Sequence, residues 1–286
     1  MKAIIFNISA WMLLPFMDGL AKFLSQDIHF LQVVWGRYFF MALFAIIITF
    51  IFFNRHFSFP RGINIQILRS LFLFLSTVFF FYAISVISLP EALTLAFISP
   101  IIATILSAII LKEKVGPRRW IAVLMGFVGV LIVIRPGFNE INIATVSAVG
   151  AGICYAFYII STRKLSEIDS PLMTLIFTGL SGAIVITLVV PFFWTWLSIF
   201  QWLILISLAA IGTLAHLLLI LSLNYAEASK LAPLSYSEII MNVIIGYYFF
   251  GDFPNQWIWI GLAIIIASGV YISLRENKNK NLEINL

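Results

Sequence analysis

Charge is what this chain most lacks. Only 10% of its 286 residues are Asp, Glu, Lys or Arg, against roughly a quarter in a soluble domain. With 62% hydrophobic residues and a mean hydropathy of +1.09, it has more apolar surface than a soluble fold can hide. Lipid must be the solvent for most of it. Cysteine is nearly absent: Cys154 stands alone inside an apolar run, which excludes a disulfide framework and a cysteine-based metal site. His216 has no second histidine near it in sequence, so a metal site has no support. No glycine-rich loop ending in a lysine follows a strand pattern, which removes ATP-driven transport. His-Glu-x-x-His and clustered acids are missing too, and the loops are too short to hold a soluble active site, which argues against an embedded enzyme.

What the chain has in abundance is apolar runs of about 20 residues, each long enough to cross a bilayer as a helix. They fall near 3–24, 30–53, 66–88, 90–111, 118–135, 143–164, 172–193, 200–222, 230–250 and 255–274. Strands of a barrel would alternate apolar and polar residues, and these do not. The breaks carry Pro and Gly: Pro60-Arg61-Gly62, Ser88-Leu89-Pro90, Gly116-Pro117, Arg135-Pro136-Gly137 and Gly251-Asp252-Phe253-Pro254. Met1-Lys2 and the run after it could pass for a signal peptide. The run continues to Asp18 without a small-residue cleavage site, so it reads as a retained first helix.

The net charge of +5 is explained by topology rather than by nucleic acid. With the N-terminus in the cytoplasm, the inner side receives Lys2, Arg55, Arg61, Arg69, Lys112, Lys114, Arg118, Arg119, Arg163, Lys164, Lys230, Arg275, Lys278 and Lys280. The other side receives only Lys22 and Arg135, and Arg37 falls inside a span. This asymmetry places both termini in the cytoplasm and supports about ten spans. The polar end 276–286 reads as a cytoplasmic tail.

The chain also repeats at a shift of about 140 residues. Lys22-Phe23-Leu24 falls near Lys164-Leu165-Ser166, Leu111-Lys112-Glu113 near Phe250-Gly251-Asp252, and Trp120 opposite Trp259. Five spans per half is an odd number, so the second half enters upside down. The expected fold is all-α and integral to the membrane: ten transmembrane helices as two inverted five-helix repeats, 1–137 and 138–275. That plan places a substrate site near the midplane between the halves.

Ser88-Leu89-Pro90-Glu91-Ala92, Ser99-Pro100, Leu111-Lys112-Glu113-Lys114, Trp120 and Gly126-Phe127-Val128-Gly129 follow one another in the first half. Ala228 to Leu234 and Phe250-Gly251-Asp252 mark the second, and Arg37 lies early in the second span. In these features the chain resembles the EamA-type family of the drug/metabolite transporter superfamily, over nearly its whole length. Lys112 departs from the family's usual glycine, and Asp252 replaces the usual Glu. Within the family, Lys230-Leu231-Ala232-Pro233-Leu234-Ser235-Tyr236-Ser237-Glu238 is similar to S-adenosylmethionine uptake transporters of obligate intracellular bacteria. The resemblance implies a bacterial inner-membrane carrier of a small metabolite, with no cofactor and no enzymatic activity. It leaves export of amino acids or related metabolites open as the alternative, and a homodimer open as an assembly.

Intramembrane ionisable residues are functional candidates by default. Glu238 shares one helical face with Ser235 and Asn242 and is the first choice for a counter-charge to the sulfonium and ammonium of S-adenosylmethionine. The competing reading makes it a structural partner of His216 or Arg37, or a protonated group hydrogen-bonded to a neighbour. Asp18 has two readings, a substrate contact or an ion pair with Lys22 one turn on. Arg37 either holds a substrate carboxylate or pairs with Asp18. His216 is either a proton relay or a hydrogen-bonded histidine between helices. Trp11, Tyr155, Tyr158 and Tyr236 have cavity-compatible depths and could stack on adenine or face a sulfonium, with ordinary packing as the alternative. Glu91 suits a helix N-terminus. The pairs Gly126/Gly129 and Gly179/Gly182 suit close helix approach, and Pro100 a kink.

Overall fold

The computed structural model describes residues 2–53, 60–112, 117–134, 142–166, 168–226, 231, 234–235 and 237–267. Among these residues all regular structure is helical. The helices are α1 (Lys2–Leu24), α2 (Phe30–Phe53), α3 (Ile63–Val86), α4 (Leu89–Ala96), α5 (Ile98–Ile110), α6 (Pro117–Ile134), α7 (Ile143–Leu165), α8 (Pro171–Val189), α9 (Ile199–Tyr225), α10 (Ser237–Phe250) and α11 (Gln256–Ala267), with a 3-10 turn at Val190–Phe193 after α8. Seven segments have the length and composition to cross a bilayer, counting α4 and α5 as one. Tyr236, Glu113 and the tail 276–286 lie outside the described residues.

Lipid offers no hydrogen bonds to a bare backbone, which is why the chain answers with helices. Their starts are written in side chains. Ser88, Asn142 and Ser170 each accept a backbone N–H three residues on, at 3.4, 2.8 and 3.3 Å. Ser198 and Gln201 cap each other's backbone reciprocally.

The expected fourth span is broken at Phe97 into α4 and α5. Pro100 has no N–H to offer the Ala96 carbonyl, so the ladder ends one turn before the proline. The expected ninth span contains α10, Ser237–Phe250; before it Leu231 is helical and 234–235 form a 3-10 turn, and the residues between lie outside the described ones.

Helices α1 and α9 lie along each other, as do α3 and α7. Helix α2 packs on α8 and α9, and α3 also reaches α8. Helices α4 and α5 rest on α7, and α10 rests on α1. Small residues set the closest approaches. A Cβ on Gly129 would strike the Gly261 carbonyl and one on Gly261 the Gly129 carbonyl, so α6 and α11 touch backbone to backbone. Gly179 meets the backbone of Ala42, and Gly182 the ring of Tyr38. These are the close approaches expected of Gly129, Gly179 and Gly182.

The two ends of the bundle are tied by different groups. At one end Lys22 Nζ pairs with Asp252 Oδ2 at 2.8 Å and donates to the Ile87 carbonyl at 3.0 Å. Asp252 also accepts the Leu89 amide at 3.2 Å, so one ion pair joins α1, the α3–α4 turn and the end of α10. Lys22 therefore does not serve Asp18, four residues before it. At the other end Asp169 accepts the Arg61 amide at 2.9 Å and Gln66 Nε2 at 3.0 Å, fastening the start of α3 to the α7–α8 turn.

Gly251 ends α10 in the left-handed region at φ 69°, and Lys112 after α5 holds φ 55°. The family glycine that Lys112 replaces is thus a conformational requirement, met here by a residue that pays for its Cβ. Lys112→Gly should stabilise the protein by about 1 kcal/mol, seen as a raised thermal midpoint in detergent. A lower midpoint would count against backbone strain at this position. Gly152→Ala should act in the opposite direction, because its Cβ would collide with the Ala96 carbonyl in the α4–α5 break. The expected cost is about 1–3 kcal/mol, and a variant as stable as the parent would show that the break yields.

Candidate functional site

The helix arrangement leaves a cavity of about 1120 Å³, mouth included, between α1, α2, α3, α4, α5, α7, α9 and the start of α10. The α4–α5 break helps to make this space: Phe97, Ser99 and Pro100 all face it.

Among the described residues three charged side chains line the cavity: Asp18 of α1, Arg37 of α2 and Glu238 of α10. They are 4%, 4% and 5% exposed. Glu238 stands in the first turn of α10, where free amides favour an acid. Neither Asp18 nor Glu238 has a hydrogen bond or an ion pair within 4.0 Å to any described residue. The Arg37 charge reaches Asp18 across the cavity, and Asp18 in turn acts on Glu238. The expected direct pair between Arg37 and Asp18 is thus replaced by a through-space interaction, because Arg37 is held elsewhere.

What holds Arg37 is a chain of polar contacts through the bundle. Its Nη1 donates to Thr77 Oγ1 at 2.6 Å, and its Nη2 meets His216 Nε2 at 2.8 Å. Thr77 spends its own proton on the Leu73 carbonyl, so Tyr38 Oη, 2.9 Å away, must donate to it. A guanidinium only donates, so His216 Nε2 accepts and the ring proton sits on Nδ1, facing Tyr158 Oη at 3.2 Å. His216 is the hydrogen-bonded histidine of the two alternatives, fixed as the neutral ring between Arg37 and Tyr158.

The chain ends at a second arginine. Arg69 is fully buried in α3, although its place in the sequence suggested the cytoplasmic surface. Its Nε donates to Thr162 Oγ1 at 2.6 Å and its Nη1 to Thr178 Oγ1 at 2.7 Å, with the Tyr158 ring 4.7 Å from its Cζ. Hydroxyls and a π face hold this cation behind the cavity wall.

The sequence candidates divide cleanly. Trp11, Asp18, Arg37, Tyr155, Ser235 and Glu238 line the cavity. Trp11 and Tyr155 meet edge to face at 6.0 Å. Tyr155 Oη is buried without a partner, and so is Arg37 Nε; both are polar atoms with unused capacity beside the open space. Tyr158 stands behind the wall. Asn242 is completely buried, with both amide atoms unpartnered, one turn beyond Glu238 and off the cavity surface. Tyr236 lies outside the described residues. Sequence reasoning missed Asn7, which faces the cavity, accepts Trp11 Nε1 at 2.9 Å and donates to Ser222 at 3.0 Å. The spacing of residues 7, 11 and 18 on one face of α1 was the available signal.

Bilayer-length helices around a buried, charged cavity describe a multi-pass membrane protein. The chain belongs to the EamA-like transporter family, which matches residues 1–135 and 142–274. It is similar to an S-adenosylmethionine uptake transporter of Rickettsia bellii, 26% identical over 93% of this chain and 91% of that protein. It is also similar to a riboflavin transporter of Vibrio cholerae, 32% identical over 68% of this chain and 66% of the relative. A crystal structure at 17% identity shares the fold, with a TM-score of 0.72 over 96% of this chain and 98% of the other.

A buried carboxylate without a partner is held at a cost to stability. Glu238→Gln should therefore raise the substrate-free thermal midpoint, by the equivalent of roughly 1 kcal/mol. A clear drop in the midpoint would mean that the carboxylate has a structural partner.

Proposed function

We propose that this protein is a secondary transporter that takes up S-adenosylmethionine across a bacterial inner membrane, with S-adenosylhomocysteine as the exchange partner. The observation that carries the reading is the pair of unpartnered carboxylates, Asp18 and Glu238, facing a cavity that also holds Arg37. S-adenosylmethionine brings a sulfonium, an ammonium and a carboxylate. Its cations suit the two acids, its carboxylate suits Arg37, and its adenine suits the aromatic wall of Trp11 and Tyr155. Riboflavin has no cationic centre to answer the acids, and a simple amino acid has no ring for the aromatic wall of Trp11 and Tyr155. The Rickettsia relatives supply the same substrate class from an independent direction.

The reading includes ten spans in two inverted repeats, divided near residue 137, with both termini cytoplasmic. Its support lies in the packing. Exchanging the halves turns α1 into α7 and α3 into α9, so the contact of α1 with α9 becomes that of α7 with α3. In the same way α2 with α9 becomes α8 with α3, and α10 with α1 becomes the α4–α5 pair with α7. Gly129 and Gly261 exchange with each other. Among the described residues no group in the cavity is arranged as a nucleophile with a base, which favours carriage over catalysis.

Radiolabelled S-adenosylmethionine should enter a host expressing the protein, saturably, and S-adenosylhomocysteine should compete while riboflavin and amino acids should not. Glu238→Gln, confirmed in the membrane, should lose at least about tenfold of the uptake rate, the equivalent of about 1.4 kcal/mol. Competition by riboflavin instead would move the assignment to flavins. An absence of uptake above the empty host would move it to export.

A further inference from the structure

The cavity charges do not cancel by themselves. Two carboxylates, Asp18 and Glu238, share the space with one guanidinium, Arg37. The other titratable groups facing it are Tyr155 of α7 and His216 of α9. His216 is committed as a neutral ring between Arg37 and Tyr158, and Tyr155 carries a phenol. Arg69 sits behind Tyr158 and has its own cradle of hydroxyls. Among the described residues the open site therefore has one negative charge more than its walls balance. Like charges in a common low-dielectric space do not both persist without a cation between them.

We propose that the Asp18–Glu238 pair carries one proton whenever no cation occupies the cavity, and gives it up when a cationic substrate binds. This rests on the sulfonium reading above and specifies its coupling. The charges then balance at every stage. S-adenosylmethionine, with two positive charges and one negative, meets ionised Asp18 and Glu238 beside Arg37, and the sum is zero. S-adenosylhomocysteine, a zwitterion without the sulfonium, needs one of the two acids protonated for the same sum. One turnover brings a cation in and sends the neutral product out with one proton. No net charge crosses the membrane, and the protein never has to turn an uncompensated charge through lipid, which would cost several kcal/mol. The proton comes from the compartment in which the product binds and is released where the substrate binds.

The pair is also suited to this role by position. Asp18 and Glu238 lie on α1 and α10, which pack on each other, and Arg37 lines the same cavity. Neither acid is hydrogen-bonded to a described residue, so either can exchange a proton for a cation without breaking a contact among the described residues. The structural groups at the two ends, Lys22–Asp252 and Asp169, do not face the cavity.

The test uses the purified full-length protein in weakly buffered detergent with a pH-indicating dye, at a pH where the substrate's own amine is already protonated. Adding S-adenosylmethionine should release a proton, approaching one per protein as the pH falls. Its apparent Kd should weaken about tenfold for each unit of acidification in the range where the pair is protonated. Asp18→Asn and Glu238→Gln, folded by thermal midpoint, should bind more weakly and release none. In liposomes loaded with S-adenosylhomocysteine, uptake should alkalinise the interior by one proton per substrate and should ignore an imposed membrane potential. Binding with no proton release and a Kd flat in pH overturns the coupling and leaves the sulfonium reading standing. Uptake that follows the membrane potential does the same. No binding at any pH overturns the sulfonium reading and the exchange with it.

Discussion

Arg37 cannot give up its charge, and the interior of this bundle is arranged around that constraint. A guanidinium 4% exposed in a lipid-facing fold has to be met by acceptors. Thr77 from α3 and His216 from α9 provide them at 2.6 and 2.8 Å. Those two contacts fix the rotation of three helices. They also set the tautomer of His216, which orients Tyr158, whose ring in turn backs Arg69. With its fork spent on neutral partners, Arg37 leaves Asp18 and Glu238 to the cavity. The two acids face the cavity free of that arginine because it is occupied elsewhere.

Packing and site are linked at a second place, the break between α4 and α5. Pro100 frees the Ala96 carbonyl, and Gly152 of α7 lets that carbonyl approach closely. The bent segment forms one wall of the cavity. Irregular backbone at membrane depth is tolerated where it is buried in protein or lines a cavity, and this break satisfies both conditions. The lysine–aspartate pair at one end of the bundle acts differently. It gathers α1, the start of α4 and the end of α10 through Lys22 and Asp252, three elements that bound the cavity, and leaves its interior free of that charge.

Much of the fold was legible because lipid imposes a long and simple signal. Helix existence followed from apolar runs, and the starts at Ile143, Pro171 and Ile199 lie within a residue of the expected positions because Asn142, Ser170 and Ser198 cap them. The break at Phe97 was half legible: Pro100 announced a bend, but where the ladder ends depends on a carbonyl four residues earlier. The burial of Arg69 was not legible, since a basic residue near a helix end looks the same whether it snorkels to the surface or meets Thr162 and Thr178 inside. Lys22 was matched with Asp18 by local spacing, while its partner Asp252 is more than two hundred residues away.

Sequence by itself determined the solvent, the helices, the small-residue contacts and the residue types able to carry the substrate, because each depends on local composition or spacing. Only the tertiary structure decided which of those residues share a space. It turned Trp11, Asp18, Arg37, Tyr155, Ser235 and Glu238 toward one cavity, set Tyr158 behind its wall, and paired Arg37 with His216 rather than with an acid. Partner choice among buried charges follows from the rotation and depth of helices far apart in the chain. Those are settled by packing, which no single segment encodes.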